Sequence, residues 1–280
     1  MTISKPFKRT CRPFIEGNYR QSSDSDYLRH NKFANDPQHY VRAFLMLQED
    51  LMELFKYIEP DDQNLSTYSH KIQQLLTRVC IELEANWTAI LKENGYQKQS
   101  NNLNIKDYNL TEFSHRLSKF QVRIPNWSGA KNIRAPFANW AEETDNQLEW
   151  YQAYNKAKHD RHSHFKYATL DNLLDALSAL AIVLASQFNQ EDYSHQPDTL
   201  IIGGGYGSDD EMSSSIGGFF RVKYPNDWPV TERYDFDWKS LSQESEPFAD
   251  FDYNEVRRIR CKAIEAKKQK SPRHRKAKNY

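Results

Sequence analysis

Between Leu170 and Phe188 the chain reads LDNLLDALSALAIVLASQF, and no other stretch limits the fold as strongly. Leu173, Leu174, Leu177, Leu180, Ala181, Val183 and Leu184 follow helical spacing, yet they spread so far around the axis that the helix must be buried on most sides. Such a helix forms the centre of a core, not its cover. Thr169 or Asp171 is placed to cap its first turn, because a short oxygen side chain there accepts from free amides. The run Leu173 to Leu184 is short for a bilayer and is interrupted by Asp175 and Ser178, so a core helix is expected and no membrane span. With 280 residues, 38% of them hydrophobic and 13% aromatic, the chain can pack one large domain or two modest ones.

Two further helices are legible upstream. Val41, Phe44, Leu45, Leu47, Leu51, Leu54, Phe55 and Ile58 recur at helical spacing from about Pro37 to the stop at Glu59-Pro60. Ile72, Leu75, Leu76, Val79, Cys80, Leu83, Trp87 and Ile90 make a second stripe ending near Asn94-Gly95, and an antiparallel pair is expected. A polar loop, 97–104, leads to a short helical pattern from Thr111 to Phe120 and then to extended chain through Pro125, Pro136 and Trp140. A helix from about Glu143 is expected to run through Trp150 into the Lys-His segment. Residues 1–36 lack sustained periodicity and read as a loosely ordered lead-in.

After Gln190 the character changes. Residues 191–253 hold 14 acidic against 4 basic residues, with short apolar runs, and read as a small β-containing extension. Gly203-Gly204-Gly205-Tyr206-Gly207 lacks the Gly-Lys-Ser/Thr ending of a phosphate loop and reads as a hairpin tip. The tail, 254–280, carries 11 Lys and Arg against 2 acids, so a net charge of zero for the whole chain conceals a basic tail on an acidic body. Its first part, Tyr253 to Lys270, has helical character; beyond Ser271 a disordered basic segment is expected. The fold class that follows is mainly α, an antiparallel helical bundle over 37–190, with the β-containing extension at 191–253 and the tail at 254–280.

The chemistry-bearing residues gather in Tyr154-Asn155-Lys156-Ala157-Lys158-His159-Asp160-Arg161-His162-Ser163-His164. On one continuous helix Asn155, His159 and His162 share a face, and Lys158 and Arg161 share the next with Tyr154. The group supplies an imidazole that titrates near neutrality, an amide to orient it and cations to hold a phosphate. Metal-free RNA cleavage needs such parts: a base for the 2′-hydroxyl, cations for the crowded phosphorane and an acid for the leaving oxygen. The structural alternative leaves the cations solvated and gives Asn155 and His159 to backbone hydrogen bonds. His159, His162 and His164 offer imidazoles but no fixed acidic or thiolate partner, so no metal is expected. Glu82 or Glu84 on the second helix is expected to turn toward the cluster, as a structural salt bridge.

Asn155-x-x-Lys158-His159, before a long apolar helix and after Trp-bearing helices, resembles the signature of the HEPN superfamily, all-helical domains of prokaryotic toxin, defence and RNA-processing proteins. Over about 38–190 the wider run, WYxxYNxxKHDR then FxxATLxNLLxAL, is also similar to a group of uncharacterised bacterial proteins. The resemblance implies a homodimer through the helical domain whose facing helices bring two motifs into one cleft. It implies RNA binding and metal-independent endoribonuclease action in stress or phage defence, with no cofactor. Asn155 matches the polar residue after the family's arginine and His159 the terminal histidine, while Tyr154 stands where the arginine would be. Carried over, His159, Arg161 and Asn155 are the catalytic candidates, and Lys156, Lys158 and Arg161 the phosphate-binding ones. A noncatalytic interaction module on the same helices is the alternative.

Charge and cysteine usage fit this picture. Eleven tail cations have the signature of a phosphate-backbone contact, with an acidic protein surface as the other candidate partner. Cys11, Cys80 and Cys261 are far apart and odd in number, which suits a reducing compartment, and without a signal pattern a cytoplasmic location is expected.

Overall fold

The computed structural model describes residues 2–15, 25–98, 102–141, 147–193 and 211–270, with no side-chain description for 263–270. The protein is mainly α with a small antiparallel sheet. The longer helices are α1 (Pro37–Leu54), α2 (His70–Glu93), α5 (Glu149–His159), α7 (Leu170–Phe188) and α9 (Tyr253–Lys270). The shorter ones are α3 (Ile105–Tyr108), α4 (Thr111–His115), α6 (Arg161–His164) and α8 (Trp238–Leu241).

As its sequence demands, α7 is the axis. Every residue from Ala176 to Phe188 is buried, and the helix lies against α2, α5 and α1. Each buried Leu, Ile or Val contributes about 1.5–3 kcal/mol relative to exposure, so this element dominates the core. By length and composition α7 would suffice to cross a membrane, but 83% of its most apolar window is buried within the protein. Thr169 is its N-cap, Oγ1 accepting from the Asn172 amide at 3.3 Å. Ser69 caps α2 in the same way, accepting from the Ile72 amide at 3.2 Å. Trp87, on α2, is completely buried and stacks on Tyr108 at 5.1 Å.

The β-containing extension is not a separate appendage. β1 (Gln121–Arg123) pairs with β2 (Ile133–Arg134) on one side and with β4 (Arg221–Lys223) on the other, and β3 (Ser213–Ser214) closes the order β2-β1-β4-β3. Val122 and Val222 face each other across the central pair, both fully buried, while their neighbours are half-exposed. Burying one face of both strands against the helices joins chain from before α5 to chain from after α7. The glycine-rich run 203–207 lies outside the described residues.

The β3–β4 turn is held against α1. Gly217 has φ +76°, its carbonyl accepts from Gln48 Nε2 at 3.3 Å, and an added Cβ would sit 2.5 Å from Leu45 Cδ2. Gly217→Ala is therefore expected to lower the unfolding free energy by about 2–3 kcal/mol, combining left-handed strain with overpacking. A urea titration checks this: a loss under about 0.5 kcal/mol would mean that the turn swings free of α1 at little cost.

The lead-in is also packed. Over its described part it is a strap: the Ile3 amide donates to Arg233 O, the Ile15 amide to Tyr234 O, and the Cys11 amide to Ser186 O at 2.8 Å, satisfying a carbonyl in the last turn of α7. Arg9 is 0% exposed. Its Nη1 donates to Gln187 Oε1 at 3.0 Å and its Nη2 to Asn35 O at 2.8 Å, while Nε lies 2.8 Å from Glu93 Oε1 without aiming its hydrogen at it. Gln187 in turn donates to Asn86 Oδ1 at 3.1 Å, so one buried polar network ties the strap to α2 and α7. Next to it the Arg9 carbonyl accepts from His115 Nε2 at 2.9 Å. That bond puts the imidazole proton on Nε2 and leaves Nδ1 to accept from Ser114 Oγ at 2.6 Å. Tyr253 Oη lies 2.7 Å from the same Ser114 Oγ, which anchors the start of α9. Of the basic tail, 271–280 lies outside the described residues.

Candidate functional site

α5 begins at Glu149, after an extended Leu148, and ends at His159; Glu143, the expected start, lies outside the described residues. The expected continuous helix through His164 is broken at Asp160, which adopts φ −140°, ψ 79° and caps α6 by accepting from the Ser163 amide at 3.1 Å. The cause is local: a carboxylate that hydrogen-bonds a backbone amide three residues on starts a new helix in preference to continuing the old one. The three-residue face is thereby divided. Asn155 and His159 remain on α5, four apart, while His162 belongs to α6.

The carried-over residues do not form a bonded constellation within the chain. Asn155 is half-exposed; His159, Arg161, His162, Lys156 and Lys158 are exposed. Among the described residues neither Asn155, His159 nor Arg161 makes a side-chain hydrogen bond or ion pair, so the amide does not orient the imidazole and the backbone does not hold either one. Tyr154, in the family arginine's place, is 1% exposed and points into the core. Lys158 Nζ donates to its hydroxyl at 3.1 Å and lies 5.2 Å from the ring centre. That hydrogen bond raises the Lys158 pKa, and burial raises that of Tyr154.

Glu84 faces the Lys158 end of the cluster, but not as a salt bridge. Its Oε1 accepts from Tyr151 Oη at 2.7 Å, and it acts on Lys158 only through its field. The Tyr151 phenol is pushed far up, first by burial and then by this carboxylate, so it remains a donor. The Cys80 thiol beside them is also raised by burial and is inert as a nucleophile.

Beyond Asp160 the surface is cationic and aromatic together. Tyr167, 40% exposed, stacks on the His164 ring at 5.7 Å, with Lys156 Nζ 5.2 Å and Lys166 Nζ 5.6 Å from its centre. Tyr68, 51% exposed, meets Phe165 edge-on at 5.6 Å, and His70 lies 4.6 Å from the same ring. Tyr167 and Phe165 are near enough in sequence to the Lys-His run to have been noticed as its aromatic complement. Nothing local marks Tyr68 and His70, which arrive from the start of α2 through the bridge between Tyr68 and Thr169. Asp160, held low first by the Ser163 amide, is the one acidic residue between Lys156 and Lys166. Among the described residues no group of three His, Cys, Asp or Glu gathers as metal ligands.

This arrangement, a ledge formed by α5, α6 and the turn to Tyr167, can hold phosphates by exposed cations and present a ring for stacking. Proton transfer at a 2′-hydroxyl would require His159 to meet a second acid or base and a cation within hydrogen-bond reach. Comparison with protein-family models, with curated proteins and with solved structures finds no match to this chain.

Proposed function

We propose that the protein is a HEPN-like RNA-binding protein that docks RNA on the α5–α6 ledge, with metal-independent endoribonuclease action reserved for a homodimer in which two ledges face each other. One observation carries the reading: Lys156, Lys158, His159, Arg161, His162 and Lys166 are all exposed along 11 residues that contain a single carboxylate, Asp160. Among the described residues Lys156, Lys158, Arg161 and Lys166 have only ring or hydroxyl partners or none, and no carboxylate, so their charge is available to phosphates, and His159 is free to move a proton once a partner ledge supplies the opposing group. The basic tail, 254–280, would add sequence-independent affinity. A noncatalytic assembly module is favoured by a different observation, the burial of Tyr154 where the family's arginine would project.

The test is fluorescence anisotropy with a labelled single-stranded RNA over a salt series, followed by incubation with transfer RNA in EDTA. The double variant Lys156→Glu, Arg161→Glu should weaken binding by at least about tenfold and flatten the log K against log salt slope by about 1 per lost phosphate contact. His159→Ala should bind as wild type does but abolish any cleavage leaving 2′,3′-cyclic phosphate ends. RNA binding without cleavage by a dimeric wild type would select the noncatalytic reading, and no salt-dependent RNA binding at all would overturn the RNA proposal.

A further inference from the structure

A cavity of about 410 Å3 opens where the N-terminal strap, the end of α7 and the segment after β4 meet, within the size range of small-molecule sites. Five aromatic rings stand on its walls: Phe14, Tyr27, Phe120, Tyr224 and Trp228. Polar groups on those walls show what the rings would accompany.

Arg12 lines the cavity and is 5% exposed. Three of its donors go to neutral carbonyls, Nε and Nη2 to Ser114 O at 3.1 and 2.8 Å and Nη1 to Glu232 O at 3.2 Å. A guanidinium has five N–H donors, so two remain. Its planar head lies 4.8 Å from the centre of the Trp228 ring, and among the described residues no carboxylate is within ion-pair distance of it. Phe7 and Phe251 also lie near the guanidinium, and Glu232 acts on it through its field, but a buried cation with no carboxylate in contact is stabilised further by an incoming anion. Asn189, also on the wall, has φ 56° and ψ −114°, and its side-chain amide has no partner among the described residues. Such a backbone costs about 1–3 kcal/mol in a non-glycine residue, and strain of this kind concentrates at ligand clamps. Burial pushes the Cys11 thiol up to about 11, so it stays neutral and does not repel an anion.

We propose that this cavity binds a small planar aromatic molecule bearing a carboxylate, its ring among the aromatic walls and its carboxylate on Arg12, with Asn189 supplying a further hydrogen bond. The site is distinct from the α5–α6 ledge and does not depend on the RNA reading.

The test is isothermal titration of the full chain with two probes of one shape, indole-3-acetate and its neutral counterpart indole-3-acetamide. The acetate should bind at least about tenfold more tightly, the margin of one charge-assisted contact of about 1.4 kcal/mol. Because Arg12→Met risks misfolding, the blocking variant is Ser25→Trp, at an exposed residue of the cavity wall. It should abolish binding of both probes while the circular dichroism spectrum and Tm stay as in wild type. Asn189→Gly should raise Tm by relieving the backbone and weaken the acetate, whereas a purely structural asparagine would move Tm alone. No heat with either probe at millimolar concentration, equal affinities for the two, or binding that survives Ser25→Trp would overturn the proposal.

Discussion

Replacing Arg9 by Met is expected to lower the unfolding free energy by about 3–5 kcal/mol, the usual cost of removing one partner from a buried ion pair. The loss has three sources. Glu93, whose side chain is 14% exposed, loses its cation; Gln187 Oε1 and Asn35 O lose their donors; and Tyr40 loses the guanidinium 4.6 Å from its ring centre. Against a typical domain stability of about 5–15 kcal/mol this is a large fraction, so the variant should be marginal at 37 °C. The double variant Arg9→Met, Glu93→Met should recover part of the loss, because no unpaired charge is left behind. Urea unfolding at constant m-value measures both. A single-variant loss below about 1 kcal/mol would show that the strap is dispensable for the core.

The second large effect is on acid stability. Burial lowers the His115 pKa to about 4, against about 6.5 in the unfolded chain. A depressed imidazole pKa means that the unfolded chain binds more protons between these values, so stability rises with pH there. The contribution is complete above about pH 6.5 and lost as pH falls to about 4, and 2.5 pKa units correspond to about 3 kcal/mol. Asp175 works in the opposite sense. Burial raises its carboxyl to about 6 despite Arg134 Nη1 at 3.1 Å, so its contribution favours the fold at low pH and is lost as pH rises from about 4 to 6. Glu112, raised by burial, acts in the same direction as Asp175. In the wild type the two senses partly cancel between pH 4 and 6. Asp175→Asn removes one opposing contribution and leaves Arg134 its ion pair with Asp171 at 2.5 Å, so the variant should lose stability more steeply on acidification than the wild type. Denaturant titrations at several pH values measure the slopes, and the imidazole resonances of His115 report its titration directly. An apparent pKa near 6.5 for His115 in the native state would refute the assignment.

The candidate site was legible in outline and not in geometry. The concentration of Lys, His and Arg between Tyr154 and His164 reads directly as a wet, cationic surface, because six such groups within 11 residues cannot all find buried partners. Its face assignment depended on a helix continuing through Asp160. A helical wheel assumes one axis, and a single capping carboxylate replaced that axis with two. From sequence either Glu82 or Glu84 is expected near the cluster; that it is Glu84, bonded to Tyr151 in place of a salt bridge, follows from how α2 packs on α5, which no local pattern records.

What the sequence determined alone was the set of long helices and the centre of the core. The stripes of α1 and α2, the all-round apolar surface of α7 and the Thr169 cap are short-range facts, fixed by 3.6-residue periodicity and by hydrogen bonds spanning three residues. Only the tertiary structure decided that the described part of the lead-in is a packed strap that buries Arg9, and that the acidic extension shares a sheet with Gln121–Arg123. Arg9 reads as part of a loosely ordered polar segment because its partners are Glu93 and Gln187, and Val222 reads as the end of a short apolar run because its partner is Val122. A charged or short apolar segment acquires its burial from whatever lies against it, and contacts between residues about 80–180 positions apart are set by how the whole core packs.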